Sequence, residues 1–138
     1  MNRADLQSLA DIRVQDAKVL LDAGRYPAAY YLLGYAVECA LKACVAGQIR
    51  EHDFPDKQLI LDSYTHDLKQ LLRISGLAPR FEERVAADKP FEVNWTTVKD
   101  WNESIRYDTT ISEVKARDLF SAVTDGKAGV LTWLRTVW

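Results

Sequence analysis

Residues 26–47, YPAAYYLLGYAVECALKACVAG, decide the fold that this sequence can adopt. Pro27 follows Tyr26 at the start of the segment, where a proline suits the first turn of a helix because no backbone N–H is needed there, and the segment closes on Gly47. Almost every residue between them is apolar. Because Glu38 and Lys42 would each cost about 2.5–3.5 kcal/mol in the middle of a bilayer, the segment is predicted to be the central helix of a protein core.

Polar side chains share one face of this helix. Tyr31, Tyr35, Glu38 and Lys42 follow i, i+4, i+7 and i+11 spacing, which places them on one narrow stripe. We expect the stripe to face a cleft, another helix or a partner subunit. An internal Glu38–Lys42 pair beside packed tyrosines explains the pattern equally well, so the residues alone leave a structural role and a binding role open.

The rest of the chain predicts an all-α fold, an up-and-down bundle of about five helices. Gly24 and Gly76 are predicted to end the first and third helices, Thr65 and Asn94 to cap later ones, and Pro90 to break the chain. Residues 48–64 form a long connection with room for a short helical turn. Five segments have helical periodicity, residues 3–23, 26–47, 66–74, 79–87 and 110–135, and a brief further helix carries Trp95, Val98 and Trp101.

The last of these helices has the clearest start signal. Thr110 and Glu113 match a capping box, in which side chains at both ends satisfy unpaired backbone amides. Gly126 and Gly129 fall inside the helix, where they either weaken it or let another helix approach closely, and we favour close approach.

Length and composition predict one domain, residues 1–138, since 138 residues with 48% hydrophobic side chains can bury a core. The formal charge of −2 argues against a broad basic surface for nucleic acid. Cys39 and Cys44 lie five apart on one helix and cannot bridge, so they are interpreted as buried thiols in a reducing compartment. The N-terminus carries charges where a signal peptide needs an apolar run, which favours a cytoplasmic location.

Three further charged or titratable positions call for an explanation. Arg13 lies in the apolar side of the first helix, so its head either reaches water or pairs with a carboxylate such as Glu38. Arg106 precedes the last helix, where an arginine can bind phosphate or can pair with Asp108 or Glu103 and hold the loop. His66 opens the third helix, from which it could join the same cluster.

Several short runs carry a resemblance to a known family. The matching runs are residues 16–21, 24–28 (GRYPA), 31–43 (YLLGYAVECALKA), 66–72 and 103–107 (ESIRY). They resemble the helices of the HEPN (higher eukaryotes and prokaryotes nucleotide-binding) family, and the likeness spans most of the chain. The resemblance implies a helical bundle that dimerises, often near its functional cleft, and that is frequently encoded with a nucleotidyltransferase in a toxin–antitoxin-like or defence module.

Many HEPN proteins are metal-independent ribonucleases that use an arginine followed roughly four to six residues later by a histidine, which would serve as general acid or base. Arg106 matches the arginine of that motif. The histidine would fall at Ile111, Ser112 or Glu113, none of which is an obvious equivalent at neutral pH. His66 is the candidate for a spatial substitute.

We therefore expect a noncatalytic dimer whose cleft binds a nucleotide or RNA, with tyrosines stacking on bases and an arginine holding phosphate. One alternative is a metal-independent ribonuclease that uses Arg106 and His66, and another is an interaction adaptor without a nucleotide ligand. No cofactor, metal site or membrane contact is expected, since glycine-loop, paired-histidine and CxxC motifs are absent from the sequence. The expected binding residues are Tyr35, Glu38, Lys42, His66, Arg106, Tyr107 and Asp108.

Overall fold

A computed structural model describes residues 1–49 and 52–138, and every regular element in these ranges is helical. The all-α fold class predicted from the sequence is therefore confirmed. The described residues form eight α-helices and one 3₁₀ helix, a larger number than the predicted five, because the segment after residue 48 is divided into short helices. The elements are α1 Arg3–Asp22, α2 Tyr26–Ala46, α3 Lys57–Asp62, α4 Leu68–Ile74, α5 Ala78–Ala87, α6 Lys89–Val98, the 3₁₀ helix Glu103–Tyr107, α7 Glu113–Thr124 and α8 Val130–Val137.

Helices α1 and α2 form an antiparallel hairpin with a short connection. Gly24 has a φ of 75°, as the sequence predicts for a residue that ends a helix. Its N–H donates to the carbonyl of Leu21, while the N–H of Arg25 donates to that of Leu20, which is the hydrogen-bond pattern of a Schellman motif. This turn reverses the chain and lets the two helices pack along their lengths.

Helix α2 lies at the centre of the fold. Of its 21 residues, 13 are buried, and it contacts α1, α4, α7, α8 and the 3₁₀ helix. Within the described ranges it is also the one helix long and apolar enough to cross a membrane, and 72% of its most apolar window is covered by the rest of the fold. That burial is the arrangement expected of a core helix.

The middle of α2 makes an unusually close contact with an aromatic ring. Trp101 is 2% exposed and lies against Gly34, where an added Cβ would come within 2.1 Å of the indole. The sequence predicts this tryptophan on a short helix with Trp95 and Val98, but α6 ends at Val98 and Trp101 follows it in a turn. Glycine is needed at this point of the helix because only a residue without a side chain leaves room for the ring.

Two predicted caps, Thr65 and Asn94, and the predicted chain break at Pro90 are wrong. Asp67, rather than Thr65, caps α4 by accepting hydrogen bonds from the first backbone amides of that helix. Asp88 caps α6, so Pro90 lies in its first turn instead of breaking the chain. Asn94 lies inside α6, where its amide donates to the carbonyl of Ala128 at 2.9 Å.

The predicted last helix is interrupted and starts later than its motif suggests. Ser112, rather than Thr110, caps α7 by accepting from the amide of Lys115. The chain then leaves the helix at Asp125, whose carboxylate accepts two amides of the following turn, before α8 begins. The predicted close approach of another helix is wrong, since a Cβ on Gly129 would meet the backbone of Asp125 at 2.5 Å and one on Gly126 would meet nothing within 4 Å.

A second group of aromatic residues, two buried and two partly buried, joins α5, α6 and α8. Phe81 packs edge-on against Phe91, Trp95 and Trp133, with ring centroids 5.3–5.9 Å apart. Such edge-to-face pairs add about 0.5–1.5 kcal/mol each beyond the area they bury. The cluster holds the short helices of the second half against one another.

Candidate functional site

Glu38 is the centre of the candidate site. Its side chain is 3% exposed, and its Oε1 accepts a hydrogen bond from Lys42 Nζ at 2.9 Å. The same oxygen lies 2.8 Å from Nδ1 of His66, which must be the donor when the carboxylate is ionised. The second oxygen, Oε2, is buried and has no hydrogen-bond partner in the part of the chain that the structure describes. A buried carboxylate with one unsatisfied oxygen is costly to maintain, which marks the position as a candidate functional site.

His66 connects Glu38 to the 3₁₀ helix. Its Nε2 lies 3.5 Å from Oε2 of Glu103, so the imidazole is held between carboxylates from two separate elements. The residue precedes α4 and its side chain is 49% exposed, which leaves one side of the ring open to solvent. The structure therefore brings His66 to the stripe on α2, as the sequence analysis allows.

The tyrosines of the stripe continue the site toward the N-terminus of α2. Tyr31 and Tyr35 lie parallel, with centroids 6.2 Å apart and planes 6° from each other. Tyr31 also stacks on Trp101 at 5.9 Å, so Trp101 forms part of the aromatic surface beneath the site. Burial is the main cause of a raised pKa at Tyr35, whose phenol therefore stays neutral.

Arg106 lies at the far end of this aromatic surface. Residues three apart eclipse in a 3₁₀ helix, so Arg106 shares a face with Glu103. Its guanidinium carbon is 4.9 Å from the ring centroid of Tyr107, and hydrogen bonding to the phenols of Tyr107 and then Tyr31 raises the pKa of the arginine. Tyr107 itself is 74% exposed. The stripe on α2 and the arginine ahead of the last helix are thus on the same side of the molecule.

The carboxylates nearest to Arg106 in sequence are used elsewhere. Asp108 accepts hydrogen bonds from the amide and hydroxyl of Thr110 at 2.7 and 2.6 Å, which lowers the pKa of Asp108. Glu103 faces His66 instead. Within residues 1–49 and 52–138, no carboxylate forms an ion pair with Arg106. Arg106 therefore does not hold the loop by pairing with Asp108 or Glu103, which was one of the two roles that the sequence left open.

Arg13 lies outside the site. It pairs with Asp16 on its own helix at 2.8 Å and does not reach Glu38. The side chain of Arg13 is 35% exposed, so its stem packs against the protein while its charged head reaches water, as expected from the sequence for an arginine that does not pair with Glu38.

A cleft of about 420 Å³ adjoins His66 and includes Glu103, but not Arg106, in its lining. Its two walls are residues 64–69, ahead of and within α4, and residues 99–103, between α6 and the 3₁₀ helix. The lining residues Tyr64, Lys69 and Asp100 were not predicted as site residues from the sequence. Tyr64 and Asp100 lie between helices and Lys69 lies in the first turn of α4, and no periodic pattern at these positions shows which distant segment will face them.

Six of the seven expected binding residues surround this surface. The exception is Asp108, whose carboxylate is hydrogen-bonded in the turn before α7. Lys42 belongs to the surface, but its charge is neutralised by Glu38. No group of three or more metal-ligating side chains is close enough to hold a metal ion within the described residues. The arrangement offers a cation for an anionic group, an exposed aromatic ring and a histidine held between two carboxylates.

No family model matches the chain, and no curated protein and no solved structure is significantly similar to it.

Proposed function

We propose that this chain is a noncatalytic HEPN-like protein that binds a nucleotide or a segment of RNA as a dimer in the cytoplasm. The observation that supports the proposal is the setting of Arg106, an exposed guanidinium that stacks on Tyr107 and has no carboxylate partner in the described ranges. A guanidinium in that setting is available for bidentate hydrogen bonding to phosphate. An exposed tyrosine beside it can stack on a base.

The other site residues have supporting roles in this proposal. Glu38 holds Lys42 and His66 in place, and His66 links α2 to the 3₁₀ helix that carries Arg106. Phosphate contact at a single arginine also fits the formal charge of −2, because the interaction is local and needs no extended basic surface. The two free cysteines, Cys39 and Cys44, are buried, as in proteins of reducing compartments.

Calorimetric titration of nucleoside monophosphates and short single-stranded RNAs at low salt tests the proposal. Arg106→Ala is expected to weaken binding by about tenfold or more, the loss of one charge-assisted contact. Arg80→Ala is the matched control, since Arg80 is exposed on α5 and has no ion pair among the described residues. Equal affinity of native protein and Arg106→Ala, or no binding of any of these ligands, would contradict the proposal.

Light scattering after size-exclusion chromatography tests the dimer, and co-purification with an adjacent nucleotidyltransferase tests the partner that the resemblance implies. An interaction adaptor is the alternative outcome. It would follow if Glu38→Ala abolished dimerisation or partner capture in a folded protein while no nucleotide or RNA bound to the native chain.

The position of His66 favours one second function, a metal-independent ribonuclease. A histidine beside a carboxylate can act as general acid or base, and His66 reaches the same 3₁₀ helix that carries Arg106. Such an enzyme would cleave single-stranded RNA in the presence of EDTA and lose activity in both His66→Ala and Arg106→Ala. Intact RNA after incubation with the native protein, or cleavage unaltered by both substitutions, excludes it.

A further inference from the structure

The cleft beside His66 extends the candidate site beyond Arg106. Its volume of about 420 Å³ lies within the range of about 300–1,000 Å³ that is usual for small-molecule sites. His66 and Glu103 belong both to the cleft and to the cluster around Glu38. Because a 3₁₀ helix rises about 2.0 Å per residue, the backbone positions of Glu103 and Arg106 are roughly 6 Å apart along one face of it, about the length of a ribose.

The charges in the cleft favour hydrogen-bond donors over phosphate. Its lining includes the carboxylates of Asp67, Asp100 and Glu103 but the ammonium groups of only Lys69 and Lys99. The carboxylates outnumber the ammonium groups by one, so the cleft attracts an amine more than it attracts a phosphate. A nucleotide at this site should therefore keep its phosphate at the arginine and turn its base toward the cleft.

Asp100 is the carboxylate best able to accept a hydrogen bond from a ligand. Asp67 already accepts two backbone amides of α4, and Glu103 faces His66. Asp100 is 72% exposed, and its contact to Lys69 is long, at 3.5 Å. Beside it, Tyr64 is 79% exposed at the edge of the cleft, where its ring is free to stack on a base.

We infer that this cleft takes the base of the nucleotide whose phosphate Arg106 holds, and that Asp100 selects bases that carry an exocyclic amine. The inference rests on the proposed function and adds an orientation and a base preference to it. Adenine, guanine and cytosine present an amino group as a donor, whereas uracil presents a carbonyl oxygen at the corresponding position. A carbonyl oxygen facing the carboxylate would bring two acceptors together and forgo the charge-assisted hydrogen bond.

AMP and IMP form the matched pair of probes, because they differ at the amine that IMP replaces with a carbonyl oxygen. Calorimetry with the native protein is expected to show IMP binding at least about tenfold more weakly than AMP. Asp100→Asn should bring the ratio of the two affinities close to one. Asp118→Asn is the control, since Asp118 is exposed on α7 away from the cleft, and it should keep the native ratio.

Short RNAs distinguish a free nucleotide from a nucleotide within a strand. A tetramer of adenosines that binds more tightly than AMP, with the same preference over a tetramer of inosines, identifies RNA as the source of the base. Equal affinities for AMP and IMP, both reduced by Arg106→Ala, would overturn the inference and leave the proposed function standing. An AMP preference that persists in Asp100→Asn would also overturn it, and an absence of binding by every probe removes the proposed function as well.

Discussion

Gly34→Ala adds a single methyl group at the point where Trp101 lies against α2. The new Cβ would be 2.1 Å from Cδ2 of the indole and 2.2 Å from Cε2 and Nε1. Ordinary contact begins near 3.4 Å, so the ring would have to retreat by about 1.3 Å, the difference between 3.4 and 2.1 Å. Since Trp101 is buried and stacks on Tyr31, that retreat disturbs the aromatic surface of the candidate site as well.

Two opposing effects set the size of the change in stability. Alanine favours the helix over glycine by about 0.5–1 kcal/mol. Overpacking of a buried contact costs about 1–3 kcal/mol, and a rigid, buried indole places this case toward the upper part of that range. We therefore expect a net loss of about 1–2 kcal/mol in the free energy of unfolding.

Urea unfolding followed by far-ultraviolet circular dichroism measures this loss as a lower midpoint with an unchanged slope. Gly126→Ala is the control, because no atom lies within 4 Å of its Cβ, and it should change stability by less than about 0.5 kcal/mol. In a Trp101→Leu background, the smaller side chain should reduce the cost of Gly34→Ala. A Gly34→Ala protein more stable than the native one would refute the close contact.

Three further outcomes follow from local contacts. Asp67→Ala should cost about 1 kcal/mol in urea unfolding through loss of the α4 cap, whereas a change of less than about 0.5 kcal/mol would contradict the assignment. Burial raises the pKa of Cys39 and Cys44 to about 11, so at pH 8 about one thiol in a thousand is ionised, and both should react with a disulfide reagent only after denaturation. The pKa of Asp108 is lowered by hydrogen bonds in the folded state, so its contribution to stability is present above the ordinary value of 3.8 and is lost as the pH falls toward the folded value. The difference in thermal midpoint between native protein and Asp108→Asn should shrink over that acid range, and a constant difference from pH 7 to pH 2 would disprove the linkage.

Local patterns predict the first half of the fold well and the second half less well. The hairpin of α1 and α2 follows from long apolar periodicity and from Gly24, both of which act within a few residues. Capping was mispredicted where several candidates lie close together. Thr110 matches the motif at the last helix, but its hydroxyl donates to Asp108 and the cap passes to Ser112, a competition that a spacing rule does not resolve.

The interruption of the last helix combines a local turn at Asp125 with tertiary packing of α8. The apolar residues of α8 fit helical spacing with those of α7, so their pattern indicates one helix. The turn at Asp125 redirects α8, and Trp133 then packs on Phe81 and Phe91 of the aromatic cluster. That packing depends on α5 and α6, which lie far away in the chain.

The sequence by itself determined that Tyr31, Tyr35, Glu38 and Lys42 share one face of a buried helix, because the helical repeat alone sets which side chains align. Only the tertiary structure decided that His66 and Arg106 face that stripe. Their positions depend on how α4 and the 3₁₀ helix pack on α2. Just before the 3₁₀ helix, the indole of Trp101 occupies the space beside Gly34 of α2. Contacts between segments distant in the chain have no local signal, since each segment's own pattern is compatible with many partners.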